Sequence, residues 1–177
     1  MNHTTVEMTI TKKLTINAMC IALTFVATAF INIRLPIMAN GGLVHLGNVP
    51  LFLSAILFGK KTGAVAGAFG MGLFDLLSGW TAWAPFTFII VGIMGYVVGS
   101  IAEKKTTLWY SVAVLAALLI KIIGYYIAEV ILYQNWATPL MSIPGNIIQV
   151  VVAGVIVVPT AVALRKTLTR QIGGLEK

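Results

Sequence analysis

Long apolar stretches alternate with short polar breaks along the whole chain, and the breaks are of two kinds. One kind is basic: Lys12–Lys13, Lys60–Lys61, Lys104–Lys105, and the tail residues Arg165, Lys166, Arg170 and Lys177 together hold ten of the twelve Lys and Arg residues. The other kind is rich in Gly, Pro, Asn and Trp. About 40 to 60 residues separate successive basic clusters, the length of two bilayer-spanning helices with the loop between them. Each cluster therefore returns to one side of a membrane, which the positive-inside bias makes the cytoplasm. The pattern predicts an all-α integral membrane protein, a single domain over 1–177 with six transmembrane helices and both termini cytoplasmic.

The predicted helices fall at about 14–33, 48–59, 62–78, 85–102, 108–132 and 143–164. The second is anomalous. About a dozen residues at 1.5 Å each give ~18 Å, short of the ~30 Å of hydrocarbon to be crossed. The linker before it, 34–47, carries Pro36 and the Asn40-Gly41-Gly42 turn signal, which leaves Leu43-Val44-His45-Leu46 to fill the outer gap. Irregular backbone at membrane depth is tolerated only where it is buried in protein or lines a cavity. A binding site that faces outward is the first functional expectation.

Composition agrees with a membrane protein: 59% of residues are hydrophobic and 10% charged, and mean hydropathy is +0.97. The net charge of +7 is explained by the boundary pairs. No basic stripe interleaved with aromatics is present, so a nucleic-acid partner is not expected. Six spans and their turns use up almost the whole length, which leaves no room for an extramembrane domain. No Walker sequence, HExxH pattern or Cys/His metal-ligand cluster occurs, so neither metal nor cofactor is predicted. The single cysteine, Cys20, lies in the first apolar run and reads as a small packing residue. Ala27-Thr28-Ala29 resembles a signal-cleavage site after the basic Lys12–Lys13, but cleavage would leave five spans, so a retained first helix is expected. Gly63, Gly67, Gly70 and Gly72 lack the preceding strand that a dinucleotide fingerprint needs, and read instead as close helix packing.

Ionisable and polar residues inside spans are costly and therefore informative. Asp75 falls near the outer end of helix 3 and Glu129 near that of helix 5. Asn146 and Gln149 fall in the outer turns of helix 6, at i and i+3. His45 and Asn48 flank the start of helix 2, while Trp80, Trp83 and Trp136 occupy outer loops. Lys121, Tyr125 and Glu129 share one face of helix 5 at i, i+4 and i+8. The convergence predicts a closed-bottom pocket for a small aromatic solute arriving from outside, because a continuous pore or relay needs polar groups all the way through. Each residue also has a plainer role open to it. The indoles fit an interfacial belt, Asp75 and Lys121 fit a structural ion pair, and Asn146 and Gln149 fit interhelical hydrogen bonding. His45 fits an ordinary loop residue. Helix 1 carries Ala18-Met19-Cys20-Ile21-Ala22, a small-xxx-small motif that suits either internal packing or a partner's helix.

With six helices, inside termini and the helix 1 AxxxA at Ala18 and Ala22, the chain resembles an S component, the substrate-binding subunit of an energy-coupling factor (ECF) vitamin transporter. Leu43 to Asn48, the glycine-rich run to Gly72 followed by Asp75, and Trp83-Ala84-Pro85-Phe86 resemble the riboflavin-type branch, which includes hydroxymethylpyrimidine and pyridoxine proteins. The resemblance implies a bacterial cell-membrane subunit that captures a scarce vitamin from outside, its first loop closing the pocket. It also implies docking through the AxxxA face on a membrane coupling protein (T component) bound to two cytoplasmic ATPase subunits. A small heteroaromatic such as hydroxymethylpyrimidine or pyridoxine suits the carboxylates, indoles and amides. A riboflavin-specific S component and a standalone ion-coupled carrier remain as alternatives. A membrane enzyme would need a nucleophile–base pair or metal, and His3 and His45 are the only histidines.

Overall fold

A computed structural model describes residues 9–34 and 43–174, with side chains described to Arg165 except that of Arg34. Pro36, the Asn40-Gly41-Gly42 turn, His3 and Lys177 lie outside the described residues, as do the side chains of Lys166 and Arg170. Among those described are six α-helices and one small hairpin: α1 (Ile10–Phe30), β1 (Asn32–Arg34), β2 (Leu43–His45), α2 (Asn48–Phe58), α3 (Lys60–Leu77), α4 (Ala84–Ala102), α5 (Thr107–Tyr133) and α6 (Ile143–Gly174). A 3-10 helix, Thr138–Ser142, leads into α6. Among the described residues, four segments are long and apolar enough to cross a bilayer: α1, α4, α5, and the 3-10 helix with α6 as far as Arg165.

Helix 1 begins at Ile10, ahead of the predicted 14, because the Thr9 side chain caps it by accepting from the Lys12 N–H. Three other features differ from those the apolar pattern predicts. Helix 1 stops at Phe30 rather than 33 because the Asn32 amide donates to the carbonyls of Ala29 (2.6 Å) and Thr28 (3.0 Å), closing the last turn. The next residues then leave as a strand, with Asn32 opposite His45 and Ile33 opposite Val44 in an antiparallel pair. Part of the 34–47 linker is therefore ordered strand, and Leu43 to His45 do occupy the approach to the short α2. At the other end of the chain, α6 continues past 164 to Gly174. The apolar run ends at Leu164, but the polar residues beyond it are good helix formers until Gly173-Gly174.

Small residues set the packing. A Cβ added to Gly95 would run into the backbone of Gly63, and one added to Gly67 would lie 2.7 Å from the Val91 carbonyl, so α3 and α4 touch backbone to backbone. Helix α1 buries only Cys20, Thr24 and Thr28, and Gly70 of α3 makes room for Thr24. Ala18 and Ala22 lie on another side of α1, exposed, and with Phe25 and Leu73 they line a shallow apolar groove. Gly59 alone joins α2 to α3, with φ of 93°, which glycine adopts without a Cβ clash.

Lys60, Lys104 and Arg165 gather at one end of the bundle. Lys60 pairs with Glu103 at 3.0 Å. Arg165 on α6 donates to the Ile56 carbonyl near the close of α2 (2.6 Å), and its guanidinium lies 5.8 Å from the ring of Tyr110 near the start of α5. Between this end and the other lies an apolar core that includes Phe52, Val91, Met94, Val98, Ala117 and Val157.

Close backbone contact makes the α3–α4 seam the most size-sensitive place in the bundle. Gly95→Ala is expected to lose about 1–3 kcal/mol through overpacking, with a smaller effect for Gly92→Ala, where the nearest atom is 3.3 Å from the added carbon. Thermal unfolding of the two variants in detergent checks the order.

Candidate ligand-binding cavity

At the end of the bundle away from the basic cluster, four elements converge on a cavity of about 60 Å³. The last turn of α3 brings Asp75 to it. The chain then reverses through Gly79 (φ 86°), with the Trp80 N–H donating back to the Asp75 carbonyl at 2.9 Å. This turn places Trp80 and Trp83 in the cavity wall, their rings edge to face at 5.5 Å, and Trp83 leans in turn on Tyr133 at 6.1 Å. Such edge-to-face contacts hold flat side chains in a fixed attitude.

Helix α5 contributes Lys121 and Tyr125, one turn apart on one face. The Lys121 side chain is 2% exposed. It donates to Gln149 Oε1 at 3.1 Å, and its nitrogen lies 5.4 Å from the Tyr125 ring centroid. Asp75, of opposite charge, lines the same cavity. Helix α6 supplies Asn146 and Gln149, and Gln149 Nε2 donates to the Leu43 carbonyl at 3.0 Å. A run of hydrogen bonds thus connects α5, α6 and the hairpin.

The hairpin forms the remaining wall with Leu43 and His45. The Gly47 N–H donates to His45 Nδ1 at 3.2 Å. That approach needs glycine, since a Cβ on Gly47 would collide with the Thr28 hydroxyl. Burial, followed by the charge of Lys121, pushes the His45 pKa well below the ordinary 6.5, so the imidazole is neutral and carries its proton on Nε2.

Eight of the residues singled out from the sequence therefore share one cavity: His45, Asp75, Trp80, Trp83, Lys121, Tyr125, Asn146 and Gln149. Three do not line it. Asn48 is wholly buried in the first turn of α2, with both amide atoms lacking a hydrogen-bond partner there. Glu129 is wholly buried farther along α5, near enough to Tyr133 to act on it electrostatically. Trp136 is 74% exposed in the loop after α5, where its carbonyl accepts from the Tyr126 hydroxyl at 2.9 Å.

Two further positions were not singled out as site residues from the sequence, although Leu43 was noted as part of the stretch before helix 2. Leu43 enters through its backbone carbonyl, which no side-chain pattern reveals. Thr87 on α4 is buried, and its Oγ1 lies 3.0 Å from Tyr125 Oη. The available signal was a lone hydroxyl in the otherwise apolar first turns of α4, one turn after Trp83.

The family model described as ECF-type riboflavin transporter, S component, matches residues 8–166. Thiamine precursor transporter HmpT of Lactococcus lactis subsp. cremoris (strain MG1363) is 34% identical over 145 residues, 82% of each chain. An uncharacterized protein of Pyrococcus woesei, named for a gap 3′ region, is 34% identical over 104 residues, 57% of this chain and 68% of its own.

His45 gives the cavity a pH signature. Its folded-state pKa is depressed, so from about pH 6.5 downward the unfolded chain takes up a proton that the folded chain refuses. Stability contributed by the neutral ring is complete above that value and declines as pH falls. The unfolding midpoint in detergent should therefore drop more between about pH 7.5 and about pH 5.5 for the wild type than for His45→Gln. Equal drops would assign the titration to other groups.

Proposed function

The chain belongs to the family of S components of ECF-type riboflavin transporters, and we propose that it captures a hydroxymethylpyrimidine-type thiamine precursor at the outer face of a bacterial cell membrane. It is a membrane transport subunit, and the choice of solute rests on one observation. The cavity sets a carboxylate, an ammonium, a neutral imidazole and two indoles around a space of about 60 Å³. Those groups suit a single flat ring with hydrogen-bonding substituents, and the ring faces of Trp80 and Trp83 supply apolar walls for it. The small space disfavours riboflavin, which carries three fused rings and a polyol chain. The name of the Lactococcus relative favours the same solute class.

In this reading all six helices cross or enter the membrane, α2 with the help of the hairpin, and both termini are cytoplasmic. The gathering of Lys60, Lys104 and Arg165 at the end away from the cavity supports that orientation. Energy comes from partners, a T component and two cytoplasmic ATPases. The T component docks on the exposed Ala18 and Ala22 face of α1, where small side chains let another helix approach closely. A standalone ion-coupled carrier is less well supported, because the charged groups of the cavity do not continue through the apolar core.

Purification of the chain alone in detergent, mass spectrometry of co-purifying solutes and titration by tryptophan fluorescence test the reading. Hydroxymethylpyrimidine is expected to bind tightly, and Asp75→Asn to weaken it by about ten- to a hundredfold, the worth of a hydrogen bond to a charged group. Preference for riboflavin would overturn the choice of solute, and failure to bind any vitamin would overturn capture. For docking, Ala18→Trp or Ala22→Trp should abolish cellular uptake while leaving binding by the purified chain intact. Unchanged uptake would remove the α1 face from the coupling scheme.

A further inference from the structure

Among the described residues, Asn48 is the one side chain with two buried polar atoms, Oδ1 and Nδ2, that lack hydrogen-bond partners. The residue is wholly buried. Enclosing an amide with neither end paired costs stability, and such groups are few in folded proteins. Its place follows from the seam between α2 and α3, where Gly63 lies against Ala55, Gly67 against Leu51 and Gly47 against the Met71 side chain. Asp75 is four residues beyond Met71, one helical turn. Asn48, next to Gly47, therefore stands about one turn below Asp75, on the buried face that α2 forms with Leu51, Phe52 and Ala55.

The cavity measures about 60 Å³, against about 300 Å³ and upward for ordinary small-molecule sites. A substituted ring therefore needs more room than the walls leave. Met71, buried at the level of Asn48, is well suited to yield it, because an unbranched thioether with three rotatable bonds repacks readily. Trp83, in the cavity wall, also keeps a buried Nε1–H without a hydrogen-bond partner. An indole N–H and a complete amide are thus held unmet beside and beneath the cavity.

We infer that Asn48 is a specificity-determining residue that forms the floor of the occupied site. Its amide pairs edge to edge with a ring whose nitrogen stands beside an exocyclic amine: Oδ1 accepts from the amine and Nδ2 donates to the ring nitrogen. Amides read the donor and acceptor edge of adenine in the same bidentate way. An aminopyrimidine such as hydroxymethylpyrimidine has that edge. Pyridoxine lacks it, because a methyl-bearing carbon separates its ring nitrogen from its phenolic hydroxyl, and it would leave one end of the amide unpaired. The inference rests on the proposed capture of a thiamine precursor and narrows the solute class to rings of the aminopyrimidine kind.

The test is a pair of tryptophan-fluorescence titrations on the purified full chain, with hydroxymethylpyrimidine and with the analogue in which hydrogen replaces the ring amine. The wild type is expected to prefer the amine by at least about tenfold. Asn48→Leu keeps the volume but removes both amide atoms, so the preference should fall by about five- to tenfold. A packing role for Asn48 would weaken both ligands alike and leave their ratio unchanged, which would overturn the inference. So would an amine read by Asp75 alone, since the ratio would then survive Asn48→Leu and fall only in Asp75→Asn. If Asn48→Leu fails to fold, Asn48→Ala carries the same comparison. A wild type that binds both pyrimidines equally overturns the role of Asn48 and leaves capture standing. A wild type that binds neither overturns the functional reading, and this inference with it.

Discussion

A primary ammonium enclosed by a helical bundle must find acceptors, and Lys121 organises the cavity end of the molecule around that demand. Desolvating an ion costs several kcal/mol even after relaxation, so its neighbours are arranged to answer it. Gln149 accepts from it, Asp75 lines the same cavity, and the face of Tyr125 lies beside it. Because Gln149 is held by Lys121, its other end reaches the Leu43 carbonyl and ties the hairpin to α6. One buried charge thus joins α3, α5, α6 and β2 into the walls of one space. Filling Lys121's position with an apolar residue would remove the reason for Gln149 to face as it does.

The rest of the bundle is built so that this polar end rests on a close-packed floor. Glycine at 63, 67 and 95 brings the α3 and α4 backbones together without intervening side chains. Arg165 fastens α6 to the closing turn of α2 at the far end, where a carbonyl would otherwise lack a partner. Polar chemistry is concentrated at the two ends, and the layer between them is apolar. That layout suits capture from one side of a membrane and does not suit conduction through it.

Much of this was legible in the sequence, and the reasons differ by feature. The helices were visible because apolar runs of bilayer length seldom form anything but helices, and α2 stood out through its shortness. Asp75, Lys121, Asn146 and Gln149 could be named because charges and amides inside apolar helices are rare enough to be conspicuous. His45, Trp80, Trp83 and Tyr125 could be named because they lay at the same end or on the same helix face. The misplaced ends have physical causes. The Asn32 amide closes α1 before its apolar run is over, and α6 outlasts its own because hydropathy marks the membrane boundary rather than the helix boundary. Asn48 and Glu129 were polar in the right region, yet side-chain type does not tell which way a helix is rotated, and both are buried away from the cavity. Leu43 meets the cavity through its backbone carbonyl, which leaves no side-chain signature, and Thr87 showed only as a lone hydroxyl whose partner, Tyr125, lies on another helix.

The α1 face carrying Ala18 and Ala22 shares no residue with the cavity. Substitutions that reshape the cavity walls therefore leave that face untouched, and those that alter the face leave the walls untouched. Selection can act on the two separately. Under the proposed docking scheme, a gene copy freed to drift could exchange its cargo one wall residue at a time while remaining compatible with the machinery that serves its parent. Relatives on this scaffold would then diverge first in what they carry and last in what they dock to.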